Sequence, residues 1–271
     1  MHHNFRTFRA LSTFCTVAIA FIFAFTFLEA PAALAAPTPT HANVRYSKKY
    51  DRSVLDFWQT PASKSKSAKP APVVIYFHGG GFRMGDKSAI NRSRMLSDFL
   101  PKGVSFVTVN YPFLEHVNNN YLEILRHTEL SIKFLHSKAK EWNIDPRRFV
   151  VSGASAGALI SGHLGYGTNL KISAIFAIQQ PIGTDQLVLQ KIKRGGPPTI
   201  LYTTSNLKDK VHHPRYAQMV FDRCKKLGIY SEIFGRSGSG LPALKKGTTM
   251  ESHAMQLFFK IWKLKYPGGK R

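Results

Sequence analysis

The stretch Val150–Leu164, VVSGASAGALISGHL, joins an apolar run to a helical pattern through five small residues, Gly153-Ala154-Ser155-Ala156-Gly157. The apolar run is entered from the turn NIDPRR and reads as a strand covered on both faces. Ala156 to Leu164 reads as the helix that follows. A turn this tight strains the residue at its centre, and only small neighbours allow it. It pushes the Ser155 hydroxyl out of the sheet, while the helix N-terminus aims backbone N–H groups at any negative charge that develops there. The pattern is that of a nucleophile held on an elbow between strand and helix.

Upstream, Val73–Gly85 reads VVIYFHGGGFRMG, another continuous apolar strand, ending in three consecutive glycines. Glycine costs conformational entropy, so Gly79, Gly80 and Gly81 imply that the main chain itself is needed there without side chains. Acyl transfer creates an oxyanion that backbone N–H groups must approach to about 2.7–3.1 Å. Gly79, Gly80 and Gly81 permit that approach, and the amide of Ala156, next to the nucleophile, completes the hole.

Strands and helices alternate through the rest of the chain. NVRYSK and SVLDFWQ read as short strands, and SKSKSAKPAP as a polar link. Ser88–Leu100 reads as a helix, VSFVTVNY as a strand and Tyr121–Trp142 as a long amphipathic helix. ISAIFAIQ, PTILYTTS and YSEIF read as further strands, with a helix over Pro214–Leu227 and a last one over about Ser252–Lys265. This alternation implies an α/β fold with a mostly parallel central sheet flanked by helices.

A nucleophilic serine needs a base, and the base an orienting acid. Asp209, in NLKDKVHHP, stands on the loop leaving PTILYTTS. His253, in TTMESHAMQLFFKIW, begins the terminal helix. Both follow strand carboxyl ends, where open α/β sheets bind ligands. Asp185 and Glu251 are rival acids. His78 reads as a packing residue beneath the glycine loop. His212 and His213 flank Asp209, but without a nearby Cys or carboxylate cluster the pair is a weak metal signal, and it reads as pocket rim or exposed surface.

HGGGF together with GASAG resembles the α/β-hydrolase superfamily, specifically its hormone-sensitive-lipase-like and carbohydrate-esterase-like carboxylesterases. The resemblance covers roughly Asn43 to Leu264. It implies a Ser155–Asp209–His253 triad and a serine ester hydrolase that uses no metal or cofactor. Ala154 stands where lipase-like members often carry Asp, and NYPFLEH replaces a YRLAPE-like segment. The segment between an expected mature start near Ala36 and His78 is too short for a large cap, and the strands ISAIFAIQ and PTILYTTS are separated by room for one short helix. Little or no cap, and an open pocket, are therefore expected. That suits short-chain or carbohydrate-linked acyl esters. A serine peptidase of the same fold, and a non-catalytic relative that binds anionic polymers, are the alternatives.

Composition bounds the rest. The chain has 271 residues, a formal charge of +23 and two cysteines, Cys15 and Cys224. Arg6 and Arg9, the apolar run Leu11–Leu28 and the A-x-A pattern at Ala33 and Ala35 read as a signal peptide over residues 1–35. Residues 36–271 then form a single domain that is secreted or periplasmic, with an uncleaved anchor as the alternative. Processing leaves Cys224 alone, so no internal disulfide is expected. The basic surface favours an anionic polysaccharide, envelope surface or anionic lipid as partner. No nucleic-acid-binding motif is present, and no stable membrane span is expected after processing.

Overall fold

The computed structural model describes residues 36–65 and 67–267. The proposed signal segment, residues 1–35, lies outside them. Eight strands form one sheet: β1 (His41–Arg45), β2 (Val54–Trp58), β3 (Ala71–Phe77), β4 (Ser105–Val109), β5 (Ile144–Ala154), β6 (Ala174–Ile178), β7 (Thr199–Thr203) and β8 (Ser231–Gly235). Their order is β1-β2-β4-β3-β5-β6-β7-β8. β1 and β2 are antiparallel, and every pairing from β4 to β8 is parallel. This is the mostly parallel central sheet expected from the alternating pattern.

The period of two along each strand sorts side chains into two layers. On β3, Val73, Ile75 and Phe77 face one core and Val74 faces the other. The first layer is closed by α2 (Tyr121–Lys138), α3 (Ala156–Tyr166) and α5 (Arg215–Lys226). The second is closed by α1 (Met95–Phe99) and α6 (Met250–Ile261), through Phe99, Met255 and Phe258 among others. The sheet and both layers are built within residues 36–267.

Caps set the helix starts. The Asn120 side chain accepts from Leu122 N (3.1 Å) and Glu123 N (3.3 Å), opening α2. Thr249 and Ser252 form a reciprocal capping box that opens α6. The expected single helix over Ser88–Leu100 is instead a 3-10 segment, Lys87–Arg92, followed by the short α1. Ser93 between them is extended, and its hydroxyl accepts from Met95 N (3.2 Å), a local bond that competes with helix continuation.

Between β6 and β7 lie only α4 (Thr184–Leu187) and a 3-10 turn, Leu189–Lys191. Among the described residues no large cap stands over the carboxyl ends of the strands. Among the described residues no helix is long and apolar enough to cross a membrane.

Candidate active site

Ser155 sits between the end of β5 and the start of α3 at φ 55° and ψ −118°. A non-glycine residue there stores about 1–3 kcal/mol of strain. The Ser155 amide donates to Ile178 O (3.0 Å), tying the elbow to the end of β6. The flanking glycines are required by close approach: a Cβ on Gly157 would lie 2.0 Å from Phe77 O, and one on Gly153 would lie 2.4 Å from the backbone of Gly157.

The glycine loop lies against this elbow. A Cβ at Gly79 would sit 3.0 Å from Ala154 O and 3.3 Å from Ser155 Cβ. Gly80 has φ +116°, and a Cβ there would fall 2.0 Å from Met84 O. Its carbonyl accepts from Arg83 N (3.0 Å) and Met84 N (3.1 Å), closing a turn. Among the described residues, no protein acceptor takes the amides of Gly80 and Gly81. The Ala156 amide lies in the first turn of α3, where no intrahelical acceptor exists. These three amides are free to serve an oxyanion.

The loop is anchored from below. His78 is buried, stacks on Tyr111 with ring centroids 4.4 Å apart, and its Nδ1 meets Gly79 O at 2.6 Å. Burial pushes the His78 imidazole below its ordinary pKa, and the ring packs beneath the glycine loop. Arg52 donates to Gly85 O (2.8 Å) and to Tyr111 O (3.1 Å), and its guanidinium lies 3.8 Å from the centre of the Phe113 ring.

The imidazole facing Ser155 is that of His212. Its Nε2 lies 2.9 Å from Ser155 Oγ, and its Nδ1 lies 3.4 Å from Asp209 Oδ2. The second distance is longer than a closed hydrogen bond, and such contacts commonly tighten when substrate binds. Asp209, the acid expected from the sequence, stands on the same loop. Its Oδ1 accepts from the backbone amides of His212 (2.8 Å) and Val211 (2.9 Å), and its Oδ2 accepts from the Ser205 hydroxyl (2.7 Å). The His212 amide first, then the Ser205 hydroxyl, pull the Asp209 carboxyl down to about 2. Gln179 shapes the start of this loop, its Oε1 accepting from the Thr203 hydroxyl (2.7 Å) and Thr204 N (2.9 Å).

A depressed carboxyl pKa stabilises the fold while the group is ionised. The contribution is full above the unfolded value of about 4 and is lost as pH falls toward about 2. Urea midpoints of the parent and Asp209→Asn, compared across that window, are expected to converge at its acid end.

His253 is not where the sequence reading put it. Its Nε2 bonds Glu232 Oε2 at 2.5 Å, and its ring packs edge-on against Phe234 at 4.8 Å. Glu232 and Phe234 share one face of β8, so His253 lies over the face of the edge strand and makes no bond to Ser155. The reason is register. The Thr249 capping box starts α6 at Met250, which fixes residue 253 in the first turn above β8, and residues 236–252 contain no histidine. The rival acids also lie apart from the imidazole. Asp185 is exposed on α4 at the cavity wall, and Glu251 is buried on α6. His213 Nδ1 accepts from Arg215 N (3.1 Å). Among the described residues no group of three His, Cys, Asp or Glu side chains could hold a metal.

Ser155 opens into a cavity of about 820 Å³ lined by Phe82, Leu159, Leu187, Val211 and Met219. Serine, imidazole and carboxylate in line, beside free amides at the base of an apolar cleft, can carry out acyl transfer through a covalent intermediate.

The fold is shared with solved enzymes at low identity. A thermophilic esterase of the planctomycete Thermogutta terrifontis superposes with TM-score 0.67 at 17% identity, covering 84% of this chain and 94% of its own. A truncated carbohydrate esterase from gut microbiota superposes with TM-score 0.67 at 13% identity, covering 85% and 99%. The Thermogutta esterase 2 phosphonylated by sarin gives 0.67 at 16%, covering 86% and 99%. No curated protein matches this sequence. The BD-FAE family model matches residues 59–194, half of the chain, from before β3 through the glycine loop and the Ser155 elbow into the β6–β7 connection, and this protein belongs to that family.

Proposed function

We propose that this protein is a serine carboxylic-ester hydrolase whose nucleophile, base and acid are Ser155, His212 and Asp209. The observation that carries the reading is the 2.9 Å contact of His212 Nε2 with Ser155 Oγ, beside an imidazole whose other nitrogen faces Asp209. Family membership, and the esterases among the solved structures of like fold, support the reaction class. The phosphonylated Thermogutta enzyme supports a nucleophilic mechanism.

His212 Nε2 takes the Ser155 proton as Oγ attacks the ester carbonyl. The amides of Gly80, Gly81 and Ala156 receive the oxyanion, and Asp209 stabilises the imidazolium. His212 then gives its proton to the departing alcohol, leaving an acyl group on Ser155. Water, deprotonated by the same imidazole, releases that acyl group as a carboxylic acid and restores the serine.

The open, mostly apolar cleft fits a short acyl group joined to an alcohol that projects outward, including a glycan. The basic surface and an exported setting complete the proposal, with the leader at residues 1–35 and a substrate carried on an anionic surface. Ser155→Ala is expected to abolish hydrolysis of p-nitrophenyl acetate while leaving the thermal unfolding transition in place. Undiminished turnover in that variant contradicts the reading.

A further inference from the structure

Six of the seven large apolar side chains exposed among the described residues stand on the segments that carry the lining of the Ser155 cavity, and Tyr121, Ile182 and Val211 line it. They are Met84, Tyr121, Leu122, Ile182, Leu207 and Val211, from 41% exposed at Tyr121 to 67% at Met84. They belong to segments that follow the carboxyl ends of β3, β4, β6 and β7. The Ile182 amide donates to Val211 O (2.8 Å), joining two of these segments into one wall. Four exposed cations stand among them: Arg83, Lys208, Lys210 and Arg215. None has a carboxylate within 4.0 Å among the described residues. Asp185 is the exposed acid on the same rim.

We infer that this rim docks on an anionic lipid surface, so that the enzyme draws its ester from that surface into the cavity. A hydrated polyanion would use the cations and leave the apolar side chains in water. A neutral apolar partner would leave the cations without counter-ions. A bilayer bearing anionic headgroups takes both, with apolar side chains entering the interface and cations meeting phosphate. A chain of charge +23 is attracted to such a surface before contact. The contact sets the mouth of the cavity against the lipid. The substrate class, an ester presented at a membrane, rests on the hydrolase reading above; the docking does not.

The chain from Ala36 to Arg271, carrying Ser155→Ala, is sedimented with vesicles of phosphatidylcholine alone or mixed with phosphatidylglycerol. Binding is expected only to the mixed vesicles, weakening as salt rises. Each rim cation removed in Arg83→Gln/Lys208→Gln is expected to weaken it roughly fivefold. Lys193→Gln/Arg194→Gln, the same charge change before β7 at the opposite end of the sheet, is expected to leave it unchanged. Ile182→Ser/Val211→Ser is expected to weaken it without altering the salt dependence. In the active enzyme, Leu207→Ser/Lys208→Gln is expected to slow hydrolysis of an ester dispersed in anionic vesicles while soluble p-nitrophenyl acetate is cleaved as before. Equal losses for rim and distant charge variants, or capture by polygalacturonate with none by vesicles, overturns the docking. Inert wild-type enzyme that still binds vesicles through the rim overturns the hydrolase reading alone.

Discussion

His212→Ala is expected to lower kcat toward p-nitrophenyl acetate by about 10⁵–10⁶-fold, the loss seen when a triad base is removed. His253→Ala is expected to leave kcat near the parent value. The contrast follows from geometry: His212 Nε2 stands 2.9 Å from Ser155 Oγ, whereas His253 is committed to Glu232 on the face of β8. The buried imidazoles are engaged elsewhere. His78 is buried under the glycine loop, His127 bonds Ser53, and His163 lies between Glu129 and Lys191. Steady-state hydrolysis by the two variants, with circular dichroism to confirm folding, checks the assignment. Loss on His253→Ala with retention on His212→Ala reverses it.

Lys87→Met is expected to destabilise the protein by about 3–5 kcal/mol, because it leaves a buried charge without its partner. Lys87 and Asp56 are each 7% exposed, and Lys87 Nζ donates to Asp56 Oδ2 at 2.7 Å. The pair ties the segment after the glycine loop to β2. Its surroundings are fully engaged: Asp56 Oδ1 accepts from Asn43 N (2.7 Å), Lys87 N donates to Asn110 Oδ1 (2.7 Å), and Asn110 Nδ2 donates to Asp86 Oδ2 (2.6 Å). Asp56→Leu/Lys87→Met removes both charges and is expected to recover most of the stability. The Asn43 amide, left without its acceptor, keeps the recovery incomplete. Chemical denaturation midpoints of the single and double variants measure this. A single variant as stable as the parent contradicts the account.

The sheet was legible in the sequence because its central strands are buried on both faces, so VVIYF and FVV appear as unbroken apolar runs. The glycine loop and the elbow were legible because both depend on missing side chains, and Gly157 and Gly80 show why. Asp209 was legible as a carboxylate on a loop leaving a buried strand. The base was not. A histidine three residues after the acid, on the same loop, reads as rim, and the expected chain order pointed to a later strand. The available signal was negative: residues 236–252, which leave β8, hold no histidine. The break in the helix over 88–100 was hidden for a similar reason, since it rests on one serine hydroxyl turning back on the main chain.

The central claim is that a serine at a strained turn is activated by an imidazole on the same loop as its acid. It is tested most directly by paraoxon labelling followed by intact-mass and peptide mass spectrometry. One diethylphosphoryl group is expected on Ser155 in the parent and in His253→Ala at equal rates, and labelling in His212→Ala is expected to be slower by several orders of magnitude. Modification at another residue, or undiminished labelling of Ser155 without His212, contradicts it.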